Sequence, residues 1–433
     1  MMQALLSFEQ APPLSAPMRF FLTAPLFAML AGALLLYSGP DMFASRWTPS
    51  ALALTHLITV GFMLQVMLGA MQQLLPVVAG ANLRQPLVIA AWVHATITPG
   101  ALFLAAAFLI GKPLLYISGV AFLTLGVVIF VWAAARALVG ARSSNATIRG
   151  LKLALAGLSV TLLTGVLMAA SLGLSLNFPL LQVADLHMGW GFMAWGCTVL
   201  AAVGFVTVPM FQLTPEYPAW FGRGFAPAAL GAVMLWTLTD LVGWGVASTL
   251  LSAVVVAVAT AFSYVTLNLL IRSKRPKRDA SHHLWRVAMG STLLACALWL
   301  AARIFSPLGY WQPWPLLFGI LILFCGFMSV SIGMLGKIVP FLVWLHLQNR
   351  GRGQVLAPNV KKVLPQNRID RQLRAHLLAC TCLLLAVFWP AWFVYPAGLA
   401  LIVANGELLR NLLYAVGIYR SHLVVISGST AHR

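Results

Sequence analysis

Twelve stretches of this 433-residue chain are apolar over about 20 residues, the length that crosses the hydrocarbon layer of a bilayer. Lipid offers the backbone no hydrogen bonds, so runs of this length are expected to be helices. They fall near residues 19 to 39, 51 to 78, 86 to 111 and 114 to 138, then near 150 to 173, 186 to 211, 225 to 246 and 248 to 271. The last four lie near 286 to 306, 314 to 340, 373 to 394 and 396 to 418. With 61% hydrophobic and 8% charged residues, no water-soluble globule would hide the apolar surface. The expected class is an all-α polytopic membrane protein, one membrane domain over residues 1–433. Glu9 and the pair Pro12 and Pro13 precede the first run, with no basic segment before Arg19, so the first helix is expected to stay as an anchor.

Basic residues gather in alternate connections: Arg136, Arg142, Arg149 and Lys152, then RSKRPKR from Arg272 to Arg278, then a group between Arg350 and Arg374. Because connections rich in Lys and Arg stay inside, both termini are expected in the cytoplasm of a bacterial inner membrane, with even-numbered helices running inward. The polar stretch 348–372 reads as a cytoplasmic connection. Topogenesis and attraction to anionic lipid account for a net charge of +19, and no nucleic-acid partner is needed. Cys197, Cys296, Cys325, Cys380 and Cys382 all fall inside expected spans, where disulfide frameworks are not built.

A long-period repeat organises these helices. Pro76, Pro209 and Pro340 are expected to terminate the second, sixth and tenth, at spacings of 133 and 131 residues. A small residue, Gly69, Ala202 or Gly333, stands seven positions before each proline. The reading is three pseudo-repeated four-helix units, approximately 19–140, 150–271 and 286–418, with pseudo-threefold symmetry.

Two of the three repeat helices begin with a histidine, His56 and His187, while Phe318 to Leu321 occupy the position in the third. A polar ring within a span must find a partner or line a wet cavity, so each histidine is weighed as a ligand against a structural role. At α-helical spacing His56, Met63 and Met67 lie within about 40° of one another, an imidazole above two thioethers. Such donors suit haem iron or copper, although methionines also fill gaps between helices. Asp185 reads as a helix N-cap or, alternatively, as the group orienting His187.

Asp240 is an isolated carboxylate in the seventh helix and a proton or cation candidate. Arg303 ends the ninth helix, where it would meet haem propionates or simply mark the interface. Glu407 and Arg410 are read as an ion pair, Lys337 as a snorkelling residue, His94 as a packing donor, and Trp311 and Trp314 as an aromatic belt. His282, His283, His346, His376, His422 and His432 are placed in or near connections and the tail, with no site assigned.

Twelve spans, the helix-two histidine and the form H-L-x3-G-F-x6-G-A-x-Q-x2-L-P from His56 to Pro76 resemble subunit I of the haem-copper oxidases. That resemblance implies that His56 is an axial haem ligand and that His187 takes the place of a copper ligand. The family's tenth helix supplies histidines to both haems, whereas LFGILILFCGFMSVSIGMLGKIVP has none, and the paired histidines after helix seven are absent. A complete proton-pumping oxidase is therefore not expected. In outline the chain is also similar to NnrS-type haem- and copper-containing membrane proteins of the nitric-oxide response. The leading expectation is a haem-binding protein, with copper as a second candidate cofactor, in redox, gas handling or sensing beside a respiratory-chain or periplasmic electron-transfer partner. A copper or small-solute transporter or metallochaperone, and an assembly factor for a respiratory complex, are the alternatives.

Overall fold

The computed structural model describes residues 10–140, 145–351 and 355–431, so Glu9, Arg142 and His432 lie outside the described residues. Among these residues there is no strand, and twelve helices are long and apolar enough to span a membrane. They are α1 (Ser15–Ala44), α2 (Pro49–Val77), α3 (Pro86–Ile110) and α4 (Pro113–Val139), followed by α5 (Ala146–Gly173) and α6 (Leu180–Gln212). Next come α7 (Ala219–Leu241), α8 (Gly245–Ile271) and α9 (Ala280–Ile304), then α10 (Trp314–Gly351), α11 (Gln366–Phe388) and α12 (Pro390–Ser427). The chain is a polytopic membrane protein, as expected.

Local chemistry sets several starts. Thr48 accepts a hydrogen bond from the Ala51 amide at the head of α2, and Asn145 accepts one from Ile148 at the head of α5. Pro49, Pro86 and Pro113 each occupy the first helical position, where a missing N–H costs nothing. Other boundaries differ from the sequence reading. Helix α6 starts directly after Pro179, six residues before the expected position, and α11 starts at Gln366 after Pro365. The helices run three residues beyond Pro76 and Pro209, but α10 continues from Pro340 to Gly351, so Pro340 does not terminate it. Buried Val339, Leu342 and Val343 hold that helix together across the lost hydrogen bond. The expected connection 348–372 is thereby shortened, and it contains a helical turn at Val360–Val363.

The chain divides into two compact units that cut across the expected four-helix groups. One contains Leu74–Lys277 and Met289–Trp314; the other contains Ala11–Gln73, Arg278–Ala288 and Pro315–Arg433. Within the first, α3 packs on α4 through Gly100, Gly119 and Gly126, each set against a side chain or backbone of the other helix. Within the second, α1 packs on α12 where Gly32 and Gly398 face each other's carbonyl oxygens so closely that a Cβ would stand at 2.7 and 2.8 Å. Lipid tails are as apolar as leucine, so close backbone approach at small residues replaces the hydrophobic drive between such helices. Leu114 and Leu125 on α4 and Val246 and Leu250 on α8 are exposed, a surface that lipid solvates.

Among the described residues three helices widen into π turns, at Leu57–Leu64 in α2, Trp190–Cys197 in α6 and Leu321–Met328 in α10. Their first residues are separated by 133 and 131 residues, the spacings of the three prolines.

Candidate functional site

Each π turn is followed by a buried polar residue: Gln65, Thr198 and Ser329. Thr198 Oγ1 donates to the Met193 carbonyl at 2.9 Å, and Ser329 Oγ reaches the Phe324 carbonyl at 3.4 Å, both five residues back. The small residues also do equivalent work in their own helix pairs. A Cβ on Gly69 would stand 2.7 Å from the Phe21 ring of α1, Ala202 is in contact with Gly150 of α5, and Gly333 lies against Leu284 of α9. Gly61, inside the first π turn, is pressed by the Phe27 ring, and Gly157 of α5 meets the backbone of Ala194 inside the second. π turns inside α-helices recur at functional sites.

His56 is the residue before the first π turn, and its ring is half-buried. Its Nδ1 lies 2.8 Å from the Leu52 carbonyl one turn back. A carbonyl oxygen only accepts, so Nδ1 carries a hydrogen and the neutral ring has its lone pair on Nε2.

His187 lies three residues before the second π turn, so its register relative to its proline differs by two from that of His56. Its Nδ1 is 2.9 Å from Thr164 Oγ1 on α5, and its Cε1 rests over Gly165, where a Cβ would approach to 3.0 Å. The Thr164 hydroxyl donates to the Val160 carbonyl at 2.9 Å or to Thr161 at 3.1 Å, so its oxygen accepts from Nδ1–H. His187 is therefore in the same tautomer as His56, by way of one hydroxyl. Asp185 is exposed in the second turn of α6, whose N-cap is Pro179, so it is not the cap the sequence suggested.

Met63 and Met67 are buried on α2. The angle that aligned them with His56 assumed 100° per residue, a value that does not hold through the π turn containing Met63. Gln72, further along α2, is fully buried, and neither polar atom of its amide has a partner among the described residues.

The other sequence candidates lie elsewhere. Asp240 joins three helices: Gln182 Nε2 of α6 donates to Oδ2 at 2.9 Å and Ser248 Oγ of α8 donates to Oδ1 at 2.8 Å. Arg303 is exposed at the end of α9 with its guanidinium 5.0 Å from the Trp299 ring. Glu407 pairs with Arg410 and also with Arg371 of α11 at 3.5 Å. Lys337 does not snorkel: it is mostly buried and ion-paired with Asp279 at the head of α9. His94 lies half-buried within α3.

Two histidines assigned to connections are fully buried within helices, His282 in α9 and His376 in α11. His376 Nε2 lies 2.8 Å from Ser329 Oγ, directly beyond the third π turn. An amphipathic reading of α11 from Gln366 would have found it, because His376, Cys380 and Leu383 recur at helical spacing on the buried face. Thr164 carried no signal of its own, since its role depends on the pairing of α5 with α6. Among the described residues no group of three or more His, Cys, Asp or Glu side chains is gathered closely enough to hold a metal ion. The chain matches no protein-family model and no curated protein.

Proposed function

We propose that the chain is a haem-binding protein of the bacterial inner membrane, of haem-copper-oxidase-like architecture, in which His56 is an axial ligand. It would serve redox chemistry, gas handling or sensing rather than proton-pumping dioxygen reduction. The observation supporting this reading is the shared tautomer of His56 and His187: each imidazole donates through Nδ1 to a fixed oxygen, which leaves Nε2 as the nitrogen without the hydrogen. Metal-ligating histidines are oriented by such hydrogen bonds. The donor chemistry fits haem iron at His56 and haem iron or copper at His187. A bound haem would supply one-electron exchange or a diatomic-gas ligand site, and Arg303 is the candidate partner for its propionates. The common spacing of prolines, π turns and small-residue contacts supports three pseudo-repeated units of four helices, and the basic connections support cytoplasmic termini.

Visible absorption of purified protein tests the reading. A Soret band that weakens in His56→Ala is expected; a colourless protein that stays colourless after haem is supplied would reject it.

Gln72 favours a second reading, a copper or small-solute transporter. A buried amide with two unsatisfied polar atoms calls for a passing water or solute. Colourless protein that accumulates copper in sealed vesicles, and stops doing so in Gln72→Leu, would select it.

A further inference from the structure

Where α9 and α11 begin, a cleft of about 410 Å³ is lined by Arg278, Ala280, His283, Asn367, Asp370 and Arg374. Asp279, the residue between Arg278 and the start of α9, is already engaged: it accepts from the His282 amide and pairs with Lys337. On α11, Arg371 pairs with Glu407. Among the described residues no ion pair reaches Arg278 or Arg374, and both side chains are exposed. Deeper in the span, one turn beyond Arg374 on the exposed face of α11, stands Leu378 at 58% exposure. We infer that this cleft binds one anionic phospholipid, with its phosphodiester between Arg278 and Arg374, its headgroup alcohol on Asp370 and an acyl chain along Leu378.

Depth fixes the kind of anion. Both α9 and α11 are membrane spans, and the apolar run of α11 begins only near residue 373, so the cleft lies where headgroups meet hydrocarbon. A guanidinium grips phosphate oxygens through two parallel N–H bonds, a geometry that an ammonium does not offer. The volume falls in the range of small-molecule sites, about 300–1,000 Å³. A free phosphate would use the arginines alone, whereas a phospholipid uses the arginines and Leu378 together.

Charge selects the headgroup. Arg278 and Arg374 with Asp370 leave one positive charge in the cleft, which a single phosphodiester neutralises. Asp370 Oδ1 accepts from Gln366 Nε2 at 2.8 Å, and a carboxylate keeps further lone pairs for a hydroxyl. The same carboxylate repels a headgroup with a second negative charge, and a choline offers it no N–H or O–H. A glycerol headgroup supplies one charge and donor hydroxyls, so phosphatidylglycerol is the matching chemistry.

The test is native mass spectrometry of the full-length protein in detergent with phosphatidylglycerol, phosphatidylcholine or phosphatidic acid of matched chains. About one phosphatidylglycerol per chain, held about 10-fold more tightly than phosphatidylcholine, is expected. Arg278→Gln and Arg374→Gln should each lower that affinity about 10-fold. Lys361→Gln with Lys362→Gln, which removes two exposed charges outside the cleft, should leave it unchanged. Asp370→Asn should admit phosphatidic acid, which the wild type holds more weakly; no gain there would overturn the role of Asp370. Equal retention of phosphatidylglycerol and phosphatidylcholine, or equal losses in the arginine and lysine variants, would overturn the site in favour of diffuse attraction to the basic surface. Displacement of the lipid by excess inorganic phosphate would assign the arginines to a soluble anion and overturn the lipid. The comparison of lipids on the wild-type protein needs no variant, so it decides even where a variant does not fold. No cofactor enters any of these readouts.

Discussion

Thr164 Oγ1 and His187 Nδ1 stand 2.9 Å apart, joining the middle of α5 to the N-terminal part of α6. Because the same hydroxyl hydrogen points to a carbonyl of its own helix, the bond both ties the helices and sets which imidazole nitrogen carries the hydrogen. Thr164→Val keeps the shape and removes the acceptor. Loss of one such hydrogen bond costs about 1 kcal/mol of stability, whereas loss of an orienting partner costs about 10-fold to 100-fold in ligand affinity. Thermal unfolding in detergent should therefore change little, while the affinity of the protein for haem or copper at His187 falls. A large fall in stability with unchanged affinity would make Thr164 a packing residue only.

Gly61 and Phe27 give the second prediction. A Cβ on Gly61 would stand 2.3 Å from the Phe27 ring, so Gly61→Ala should destabilise by about 1–3 kcal/mol, the usual cost of overpacking. Gly61→Ala should cost less in a Phe27→Ala background, because that change removes Cγ and Cδ1, which would stand 2.4 and 2.3 Å from the new Cβ. A double-mutant cycle on unfolding free energy reads the coupling, and additive effects would mean that the contact does not govern packing of α1 on α2.

The spans and their number were legible because hydrophobic length is a one-dimensional signal. Helix ends were less so: Pro340 looked like a stop, yet its neighbours in α10 are packed tightly enough to carry the helix on. The π turns left no readable mark: at two of them a hydroxyl, Thr198 or Ser329, reaches a carbonyl five residues back, whereas the turn at Leu57 is followed by Gln65. His56 and His187 stood out as polar rings in apolar runs. His376 did not, because the apolar run beside it begins only near residue 373 and the helical turn before it is polar. Lys337 looked like an interfacial lysine, and only the folding of α9 against α10 brings Asp279 to it.

That ion pair gives the third prediction. Asp279 and Lys337 have side chains only 8% and 19% exposed, so removing one partner strands a charge where water is scarce. Asp279→Asn or Lys337→Met alone should each cost about 3 kcal/mol or more. The double variant should be closer to wild type than either single one, because no charge is then left unpaired. Unfolding of the three variants in detergent checks this, and a double variant as unstable as the sum of the singles would show that the pair acts only by packing.

Tyr217, in the connection between α6 and α7, supplies a pH dependence with a definite sign. Its ring stacks near-parallel with Phe262 at 6.5 Å and its hydroxyl is 2.9 Å from Thr266 Oγ1. Burial raises its pKa above the ordinary 10.0, more than the Thr266 hydrogen bond lowers it. An unfolded tyrosine ionises above about pH 10 while the folded one stays neutral, so the unfolded state gains and stability falls as pH rises through that window. Below pH 10 both states are neutral, and this contribution is fully retained. The slope due to one such group is about 1.4 kcal/mol per pH unit. Tyr217→Phe loses the hydrogen bond, and so should be about 1 kcal/mol less stable than wild type at pH 8. It also removes the ionisation, so its stability should decline less steeply between pH 10 and 11 and the two curves should converge. Parallel curves over that interval would mean that the phenol ionises equally in both states.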